Sequence, residues 1–536
     1  MRTILQPGRN CWRRAHADRV ALLMDGEAYF TAFRAAVEQA KHTIFIIGWD
    51  IDSRMLLARD NDGKSPVELS EFLDTRVRHR SGIQAYVLTW DFAALYALER
   101  ESFPQYKWQW RTHRRFHFHM DDSHPLGGCH HQKIVVIDDA IAFVGGFDLT
   151  KCRWDTPEHR AEDPRRIDPD GNLYAPFHDF QMAVDGAAAA ALGDLARIRW
   201  QRATGKKLYP PPRIDSNPWP FFLQPDMTNT QVAIARTEPA YAGNPAVREV
   251  EQLYLDAIAA ARRSIYLESQ YLTSATIGQA LADRLRAVNG PEILIVVPQQ
   301  THGWLEQATM DVLRARLLKK LREADRYQRL QVFYPVVPGL VNDCINVHAK
   351  FLIIDDKLIR IGSANLSNRS MGLDTECDLA IEAAQNRHIS QSIVAFRSHL
   401  LAHHLGVNEQ QVAQALANQG SLLKAVTGLR HGDRTLKELD GSVPDILDKT
   451  LPNAAIIDPE RPLDPETLLA RWVPGYAGET KNATRPLDKM RRLISDGTLV
   501  MLGITLRVTS LERWLDTAFA KTHRWLRKGS PHSSDS

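Results

Sequence analysis

The chain has 536 residues, enough for roughly three or four folding units, because single domains usually hold about 100–200 residues. Hydrophobic residues make up 44% of the chain and charged residues 24%, values that exclude a wholly disordered chain, a collagen-like fibre and a polytopic membrane protein. The formal net charge is only +3, so no global attraction draws the chain to nucleic acid or anionic lipid. We therefore expect any electrostatic recognition to be local.

In the N-terminal half, helical and strand-like apolar patterns follow one another along the chain. Helical spacing predicts helices over residues 28–40 and 66–79, and apolar runs predict strands at Thr43–Gly48, Ile83–Leu88 and 134–137. The last strand has four consecutive apolar residues, as expected of a strand buried on both faces. After this half, the proline-rich stretch Tyr209–Pro225 predicts a linker.

The C-terminal half repeats the same alternation. We expect helices over 246–261, 277–288 and 304–323, and strands over 264–268, 292–297, 330–334 and 351–354. Strands that alternate with helices predict an α/β fold with largely parallel sheets. Beyond about residue 405 the spacing is helical, and we expect the polar tail Lys528–Ser536 to be disordered.

One sequence unit occurs twice in the chain, and a duplication of this kind organises the whole fold. A histidine and a lysine two residues apart, four apolar residues and an aspartate occur first at His131, Lys133 and Asp138 and again at His348, Lys350 and Asp355. The turn Gly145-Gly146-Phe147-Asp148 matches Gly362-Ser363-Ala364-Asn365 at the same offset. We predict a first half at 18–205, a linker at 206–229, a second half at 230–405 and a C-terminal extension at 406–536.

The repeated residues suit the chemistry of a phosphate diester. A histidine and a lysine two apart on a strand project to the same face, so each half offers an imidazole beside a positive charge. Two copies that face each other across a pseudo-twofold axis would bring these groups together with Ser363 and Asn365. The lysines and the amide would neutralise charge while one histidine attacks phosphorus and the other protonates the departing oxygen.

Both motifs resemble the signature of the phospholipase D superfamily, H-x-K-x4-D followed by a G-G/S-x-N/D turn. The resemblance is closest to the enzymes with two motifs in one chain and covers roughly residues 18–405. It includes Gly48-Trp49-Asp50, Arg153-Trp154-Asp155 and Glu268-Ser269-Gln270-Tyr271, although the family commonly has Asn where Ser269 stands. It implies two tandem α/β/α sandwich halves related by pseudo-twofold symmetry, with a mainly helical C-terminal region.

The resemblance also implies roles for the motif residues. One histidine would become a phosphohistidine, the other would act as acid and then as base, and a carboxylate would orient each imidazole. Spacing assigns these carboxylates to Asp179 and Glu376, with an insertion around Arg153–Asn172 in the first half. Family precedent favours His131 as the nucleophile, but two nearly symmetric copies leave that choice open.

The remaining motif residues divide into three groups. We expect Lys133 and Lys350 to complete the catalytic set, and Gly146, Ser363 and Asn365 to bind the substrate phosphate. At the end of the turn only the second copy offers an amide donor, because the first copy has an aspartate there. The aspartates are expected to be structural: Asp138, Asp148 and Asp355.

Other features give weaker signals. Six histidines crowd into the segment before and at the first motif, but the family's core chemistry is metal-independent, so we expect no metal and no cofactor: His113, His117, His119, His124, His130 and His131. A basic and aromatic patch could hold a lipid headgroup or be a solvated loop: Trp108, Trp110, Arg111, Arg114 and Arg115. Five cysteines without a C-x-x-C pair predict neither a disulfide framework nor a zinc site.

The leading functional hypothesis is a phospholipase D that hydrolyses the headgroup phosphodiester of glycerophospholipids to phosphatidic acid, with transfer to alcohols. The alternatives are a phosphatidyltransferase of the cardiolipin synthase type and a phosphodiesterase nuclease. Cardiolipin synthases usually carry N-terminal membrane helices, and nucleases need a basic groove, which a nearly neutral chain does not favour. A non-enzymatic scaffold is disfavoured because all the polar motif positions are intact.

The partner expected from this hypothesis is a phospholipid at a membrane surface, without nucleic acid. Both motifs lie in one chain, so we expect a monomer. No apolar run matches a signal-peptide core or a membrane-spanning helix. We therefore expect a cytoplasmic or peripheral membrane protein, while export without a cleaved signal and the headgroup preference stay open.

Overall fold

The structure is a computed structural model that describes residues 3–59, 66–91, 112–212, 217–301, 304–341, 343–441 and 458–462, with the backbone of 500–501 and 504–505. Residues 1–443 and 458–462 form one compact unit, and residues 444–457 and 463–536 form a second. In the second unit the described elements are two short antiparallel strands, Val500–Met501 and Ile504–Thr505. The expected disorder of Lys528–Ser536 lies outside the described residues.

The first half alternates strands and helices from its first residues. Strand β1 begins at Arg13, before the predicted boundary at residue 18. The elements are β1 (Arg13–Met24), α1 (Asp25–Gln39), β2 (Thr43–Gly48), α2 (Leu69–His79), β3 (Gln84–Trp90), β4 (Phe116–Asp121), β5 (Ile134–Ile137), β6 (Ile141–Gly145), β7 (Phe177–His178), β8 (Phe180–Asp185) and α3 (Gly186–Thr204).

The second half repeats this order, and its first strand begins at Met227, inside the predicted linker. The elements are β9 (Met227–Glu238), β10 (Val247–Arg248), α4 (Glu249–Ala260), β11 (Ser264–Ser269), α5 (Ala275–Arg286), β12 (Glu292–Val296), α6 (Trp304–Ala324), β13 (Leu330–Val336), β14 (Asn346–Val347), β15 (Lys350–Ile354), β16 (Leu358–Gly362), α7 (Asn368–Gly372), β17 (Glu376–Glu382) and α8 (Arg387–Leu405).

The C-terminal extension is helical at its start, as its sequence predicts, but it also contributes a strand. Helices α9 (Glu409–Gln419) and α10 (Leu422–Leu429) are followed by β18 (Thr435–Glu438). Strand β18 pairs antiparallel with β13 and so extends the sheet of the second half.

The strands of the described chain form a 16-stranded sheet in the order β18-β13-β12-β11-β15-β16-β17-β9-β1-β8-β6-β5-β2-β3-β4, with β10 beside β9. Within this sheet, parallel pairing is confined to β2–β3–β4 and β11–β12–β13. The α/β fold is therefore confirmed, but the expectation of largely parallel sheets is wrong. After each motif strand the chain returns through a tight hairpin, β5–β6 or β15–β16, and such a connection can only pair strands antiparallel.

The pairing of β1 with β9 lies on a pseudo-twofold axis. The strand order read outward from this pair is the same in both directions, apart from β18, which adds one strand at the end of the second half. Arg13 and Met227 are the first residues of the two strands; Arg13 pairs with Ile234, and Met227 pairs with Val20. Each strand therefore meets the other at equivalent positions, as a twofold axis requires. The two halves predicted from the repeat are thus joined into one sheet.

Both faces of the motif strands are buried, as the apolar run at 134–137 predicts. Val135 and Ile137 pack into a cluster formed within the first half. Ile134 and Val136 pack into a second cluster that includes residues of both halves, among them Phe351 of β15. Side chains that alternate along a strand thus contribute to two cores at once. The shared core holds the two motif strands in fixed positions relative to each other.

The motif aspartates anchor these strands at their far ends. Asp138 has a positive φ of 54°, and its carboxylate accepts hydrogen bonds of 2.7 Å from the backbone N–H groups of Lys41, His42 and Thr43. Asp355 has the same φ and accepts from the N–H groups that begin β11. Both carboxylates thus satisfy buried donors where β2 and β11 start.

We predict that Asp138→Ala lowers the free energy of unfolding by about 2–4 kcal/mol, because three buried N–H groups lose their acceptor and alanine disfavours a positive φ. The measurement is the urea midpoint, followed by circular dichroism. Asp18→Ala is the control: it makes the same substitution at an exposed aspartate and should leave the urea midpoint unchanged. Equal midpoints for Asp138→Ala and the natural chain would contradict the anchoring role.

Candidate active site

Short cross-half strands bring the two motif histidines together with residues of the opposite half. Strand β14 pairs in parallel with β7, and the next backbone N–H, that of His348, donates to the carbonyl of His178 at 2.8 Å. The N–H of His131 donates to the carbonyl of Thr375 at 3.0 Å. Each histidine is therefore fixed beside the residue that precedes the other half's carboxylate.

Each imidazole is hydrogen-bonded to a carboxylate from the other half. His131 Nδ1 lies 3.1 and 3.0 Å from the two carboxylate oxygens of Glu376. His348 Nδ1 lies 2.6 Å from Asp179 Oδ2. An imidazole that donates Nδ1–H to a carboxylate keeps its Nε2 available for a substrate. The structure thus brings Asp179 and Glu376 to the histidines, and their pairing crosses between the halves.

Two small residues of the glycine turns support these carboxylates. The buried hydroxyl of Ser363 donates to Glu376 Oε2 at 2.5 Å. A Cβ atom on Gly146 would lie 2.3 Å from Asp179 Oδ1, so only glycine fits against that carboxylate. These contacts position the carboxylates; phosphate binding by Gly146 and Ser363 stays a prediction.

The two motif lysines have different surroundings, although their sequences are nearly the same. Lys133 Nζ forms a buried ion pair of 2.9 Å with Asp148 Oδ2. Lys350 Nζ donates to Gln270 Oε1 at 3.0 Å and to the carbonyl of His348, and among the described residues it forms no ion pair. Asn365 replaces the aspartate in the second half, which leaves the charge of Lys350 available for an anion.

Asp148 also binds a backbone N–H group in the first half. Its Oδ1 atom accepts from the backbone N–H of Trp49 at 2.8 Å, so the carboxylate ties the end of β2 to Lys133. Asn365 is buried, and its Oδ1 atom has no hydrogen-bond partner among the described residues. The Asp–Asn difference seen in the repeat therefore makes the two halves electrostatically unequal.

Burial sets the ionisation of the site. It lowers the pKa of both His131 and His348 well below the usual range, and the neighbouring lysines lower it further, so burial favours the neutral imidazoles while no anion is bound. Burial raises the pKa of Asp179 and of Glu376 to about 7. Burial also lowers the pKa of Lys350 to about 7, against the attraction of Asp179. The site therefore exchanges protons easily near neutral pH.

The structure places in the site some residues to which the sequence patterns assigned no role. The positive charge of Arg153 lowers the pKa of His348, after burial and Lys350, and its guanidinium lies 4.9 Å from the ring centroid of Phe177. That ring lies 5.3 Å from the ring of His348. Trp49 makes an edge contact with His131 at 6.4 Å. Arg153, Trp49 and Gln270 all belong to stretches that carry the family resemblance. That resemblance was the sequence signal that could have identified them as site residues.

A buried charge network lies behind Asp179. His178, the residue before it, contacts Asp25 Oδ1 at 2.8 Å through Nδ1 and Glu268 Oε2 at 3.1 Å through Nε2. Burial opposes a charge on His178, but the two carboxylates outweigh it and raise its pKa to about 10. Glu268 also accepts from Tyr266 and contacts His404. No pattern in the sequence indicated that this histidine would be charged.

The histidines of the segment before the first motif each contact a different residue. His117 contacts Gln84, His124 contacts Trp90, and His130 contacts Asp121. Among the described residues, side chains close enough to share a metal ion lie elsewhere, in two overlapping groups: Asp25, His159, His178 and His403, and His178, Glu268 and His404.

The basic and aromatic patch falls only partly within the described residues. Trp108, Trp110 and Arg111 lie outside them. Arg115 donates to the carbonyls of Val77, Arg80 and Ile83 at and beyond the end of α2. This contact gives Arg115 a structural role.

Comparison with known proteins agrees with this duplicated histidine–lysine site. A family model described as phospholipase D matches residues 36–217, and one described as cardiolipin synthase, PLD-like domain matches residues 254–399. Each span contains one H-x-K motif and one of the two orienting carboxylates. These features define a two-motif α/β protein with one composite site. The chain belongs to the phospholipase D superfamily and contains two phospholipase D-like halves.

The named relatives share only a low sequence identity with this chain. Phospholipase D A of Dictyostelium discoideum is 25% identical over 462 residues, which cover 73% of this chain and 36% of the relative. Phospholipase D alpha 1 of Carica papaya is 24% identical over 510 residues, which cover 69% of this chain and 63% of the relative. The chain thus spans less than two thirds of the length of these relatives.

The fold also resembles a solved structure. The crystal structure of phosphatidylserine synthase from Haemophilus influenzae aligns with a TM-score of 0.51 and 15% identity over 77% of this chain and 97% of that chain. At that identity the likeness concerns the fold alone.

We predict that Glu376→Gln changes the ring ¹⁵N signals of His131 more than those of His348, because the carboxylate contacts the imidazole of the opposite half. The measurement is a ¹H–¹⁵N spectrum of histidine-labelled protein, with His131→Gln and His348→Gln used for assignment. Glu382→Gln, a change at the far end of β17, is the matched control and should leave both rings unchanged. A change confined to His348 would contradict the cross-half pairing.

Proposed function

We propose that this protein is a phospholipase D that hydrolyses the headgroup phosphodiester of glycerophospholipids to phosphatidic acid. The observation that carries the proposal is the pair of imidazoles, that of His348 buried and that of His131 half-buried, each held by a carboxylate of the other half, beside two buried lysines. Membership of the superfamily and relatives named phospholipase D support it. The proposed substrate is a phospholipid at a membrane surface, and the proposed working form is a monomer because one chain supplies both motifs.

In the proposed first step, His131 Nε2 attacks phosphorus, as the family resemblance implies. The bond between phosphorus and the headgroup oxygen breaks, and His348, which is protonated on both ring nitrogens once the substrate anion is bound, gives its Nε2 proton to that oxygen. The products are a phosphatidyl-histidine and the free headgroup alcohol. Glu376 and Asp179 stabilise the imidazolium form of the ring that each contacts.

In the proposed second step, His348 takes a proton from water as the water oxygen attacks phosphorus. The bond between phosphorus and His131 breaks, which releases phosphatidic acid and restores both imidazoles. The substrate anion would lie between Lys133, Lys350 and the amide of Asn365. Because Lys133 is already paired with Asp148, we assign the larger gain in charge stabilisation to Lys350.

A membrane surface fits the described chain as the place of reaction. No helix among the described residues has the length and apolar content needed to cross a bilayer. The substrate would therefore be reached from outside the hydrocarbon layer.

A second candidate is phosphatidyl transfer to an alcohol of a lipid. The family model that matches the second half is described as a cardiolipin synthase domain, which favours this candidate. The proposed phosphatidyl-histidine serves both reactions, because an alcohol can replace water in the second step. The two candidates therefore differ in the acceptor and share the site.

We predict that phosphatidylcholine with about 1% ethanol yields phosphatidylethanol at the expense of phosphatidic acid while choline release continues, because both acceptors meet one covalent intermediate. Lipid products are resolved by mass spectrometry, and free choline is measured in the same samples. His348→Ala is the inactive control. Choline release without phosphatidylethanol at any ethanol concentration would exclude the covalent intermediate.

If phosphatidylcholine gives no choline, choline lipids are not the substrate. Phosphatidylglycerol as both donor and acceptor then tests the transfer candidate. Cardiolipin without phosphatidic acid from that lipid would favour transfer over hydrolysis.

We predict that binding of tungstate, an analogue of phosphate, takes up protons at pH 7.5. The pKa of Lys350 is about 7, so much of this lysine is neutral there, and a bound anion raises the pKa and draws in a proton. The uptake is measured by calorimetry in two buffers with different ionisation enthalpies. Lys350→Met should reduce it, whereas Lys206→Met, an exposed lysine, should not. Proton release on binding would contradict this charge arrangement.

A further inference from the structure

A short segment of the C-terminal region, Asp458–Pro462, packs against the second half and belongs to the first compact unit. We call it the clamp segment. Its first residue, Asp458, is fully buried. Carboxylates are almost never fully buried unless hydrogen bonds or charges compensate for the lost solvation. The contacts of Asp458 therefore show what holds the clamp segment in place.

The carboxylate of Asp458 accepts three hydrogen bonds. Its Oδ2 atom accepts from the hydroxyl of Thr273 at 2.7 Å and from the backbone N–H of Asn368 at 2.8 Å. Its Oδ1 atom accepts from the backbone N–H of Arg369 at 2.9 Å. Asn368 and Arg369 are the first two residues of α7, and N–H groups at that position have no acceptor within a helix. Asp458 thus ties the start of α7 to the loop that follows β11.

The clamp segment also contacts the other end of α7. A Cβ atom on Gly372 would lie 2.6 Å from the backbone carbonyl oxygen of Glu460, so only glycine lets the two backbones approach this closely. The side chain of Glu460 forms an ion pair with Arg248, the last residue of β10. Helix α7 is therefore held at both ends by a segment that begins 90 residues after Asn368.

Helix α7 in turn connects the second half to the segment that leads into the first motif. The guanidinium of Arg369 donates to both carboxylate oxygens of Asp374, at 2.9 and 3.0 Å, and to the carbonyl of Gly127 in the first half at 2.9 Å. Asp374 Oδ1 accepts from the backbone N–H of Cys129 at 2.9 Å. Cys129 lies two residues before His131, so these bonds fix the backbone that enters the first motif.

Helix α7 also supports the carboxylate that holds His131. The hydroxyl of Ser370 accepts from the backbone N–H of Asn365 at 3.1 Å. Burial raises the pKa of Glu376 to about 7, against hydrogen bonds from Ser363 and Ser370 that favour its charged form. The same short helix thus contacts the turn of the second motif and the carboxylate partner of His131.

His348 is held by groups outside this network. Its Nδ1 atom lies 2.6 Å from Asp179 Oδ2, and its backbone N–H donates to the carbonyl of His178. In the part of the chain that the structure describes, neither Asp179 nor His178 forms a hydrogen bond with α7 or with the clamp segment. The clamp segment should therefore act on His131 and leave His348 in place.

We propose that Asp458 is a positioning residue of the composite site. It holds α7, and through α7 it sets the positions of His131 and of the carboxylate of Glu376. The proposal gives a role to the C-terminal region, to which the sequence patterns assigned none. It concerns the geometry of the site, so it applies equally to hydrolysis of a phospholipid and to phosphatidyl transfer.

The test is the ¹H–¹⁵N spectrum of the histidine-labelled full chain, with ring signals assigned through His131→Gln and His348→Gln. In Asp458→Ala the ring signals of His131 should change and those of His348 should not, because only the first of these rings is held through α7. The urea midpoint shows whether each variant is folded. Asp433→Ala, at an exposed aspartate of the same C-terminal extension, is the matched control and should leave both rings unchanged.

A kinetic measurement extends this test to the proposed reaction. Asp458→Ala should lower kcat for phosphatidylcholine about tenfold and leave KM unchanged, because a displaced catalytic group slows the chemical step without weakening substrate binding. If the natural chain does not act on phosphatidylcholine, that result contradicts the proposed substrate, and the ring signals alone decide the role of Asp458.

Two further variants separate the position of α7 from the charge of Asp458. Thr273→Val removes one hydrogen bond to the carboxylate, and Gly372→Ala pushes the backbone of the clamp segment away from α7, while both keep Asp458 in the chain. We expect the ring signals of His131 to change in both, and less in Thr273→Val because two of the three bonds remain. Unchanged His131 signals in folded Asp458→Ala, or in these two variants if Asp458→Ala does not fold, would overturn the proposal. Equal changes at His131 and His348 would overturn it as well.

Discussion

The structure depends on a hydrogen bond between each motif imidazole and a carboxylate of the other half. His131 contacts Glu376, and His348 contacts Asp179. Neither half contains both a motif histidine and the carboxylate that contacts it, so the site exists only when both halves are folded and docked. The continuous sheet through β1 and β9 and the core shared by both motif strands supply that docking. Folding of the whole unit and assembly of the site are therefore one event.

Burial gives this site its proton chemistry. In water an aspartate or glutamate is fully ionised at pH 7, but here the pKa of Asp179 and of Glu376 is about 7. The same loss of solvent lowers the pKa of Lys350 and of both imidazoles. A bound phosphate would replace part of the lost solvation with its own charge. The charged groups of the site are thus fully solvated only when the site holds an anion.

The duplication makes the two halves alike in fold, and local sequence differences make them unequal. An aspartate at position 148 neutralises Lys133, whereas Lys350, with an asparagine at 365, forms no ion pair among the described residues. An insertion places His159 beside His178 in the first half, whereas the second half has no matching insertion. Each difference changes local charge without moving the strands, because the sheet and the shared core fix the backbone.

The sequence by itself determined the duplication, the alternating elements and the identity of the motif residues in the site. His131, His348 and their lysines were visible because their spacing repeats, and Asp179 and Glu376 because they follow the motifs at related positions. Only the tertiary structure decided the antiparallel return strands, the cross-half pairing and the charge on His178. These depend on contacts between residues far apart in the chain, and local spacing carries no information about which distant group reaches a buried side chain.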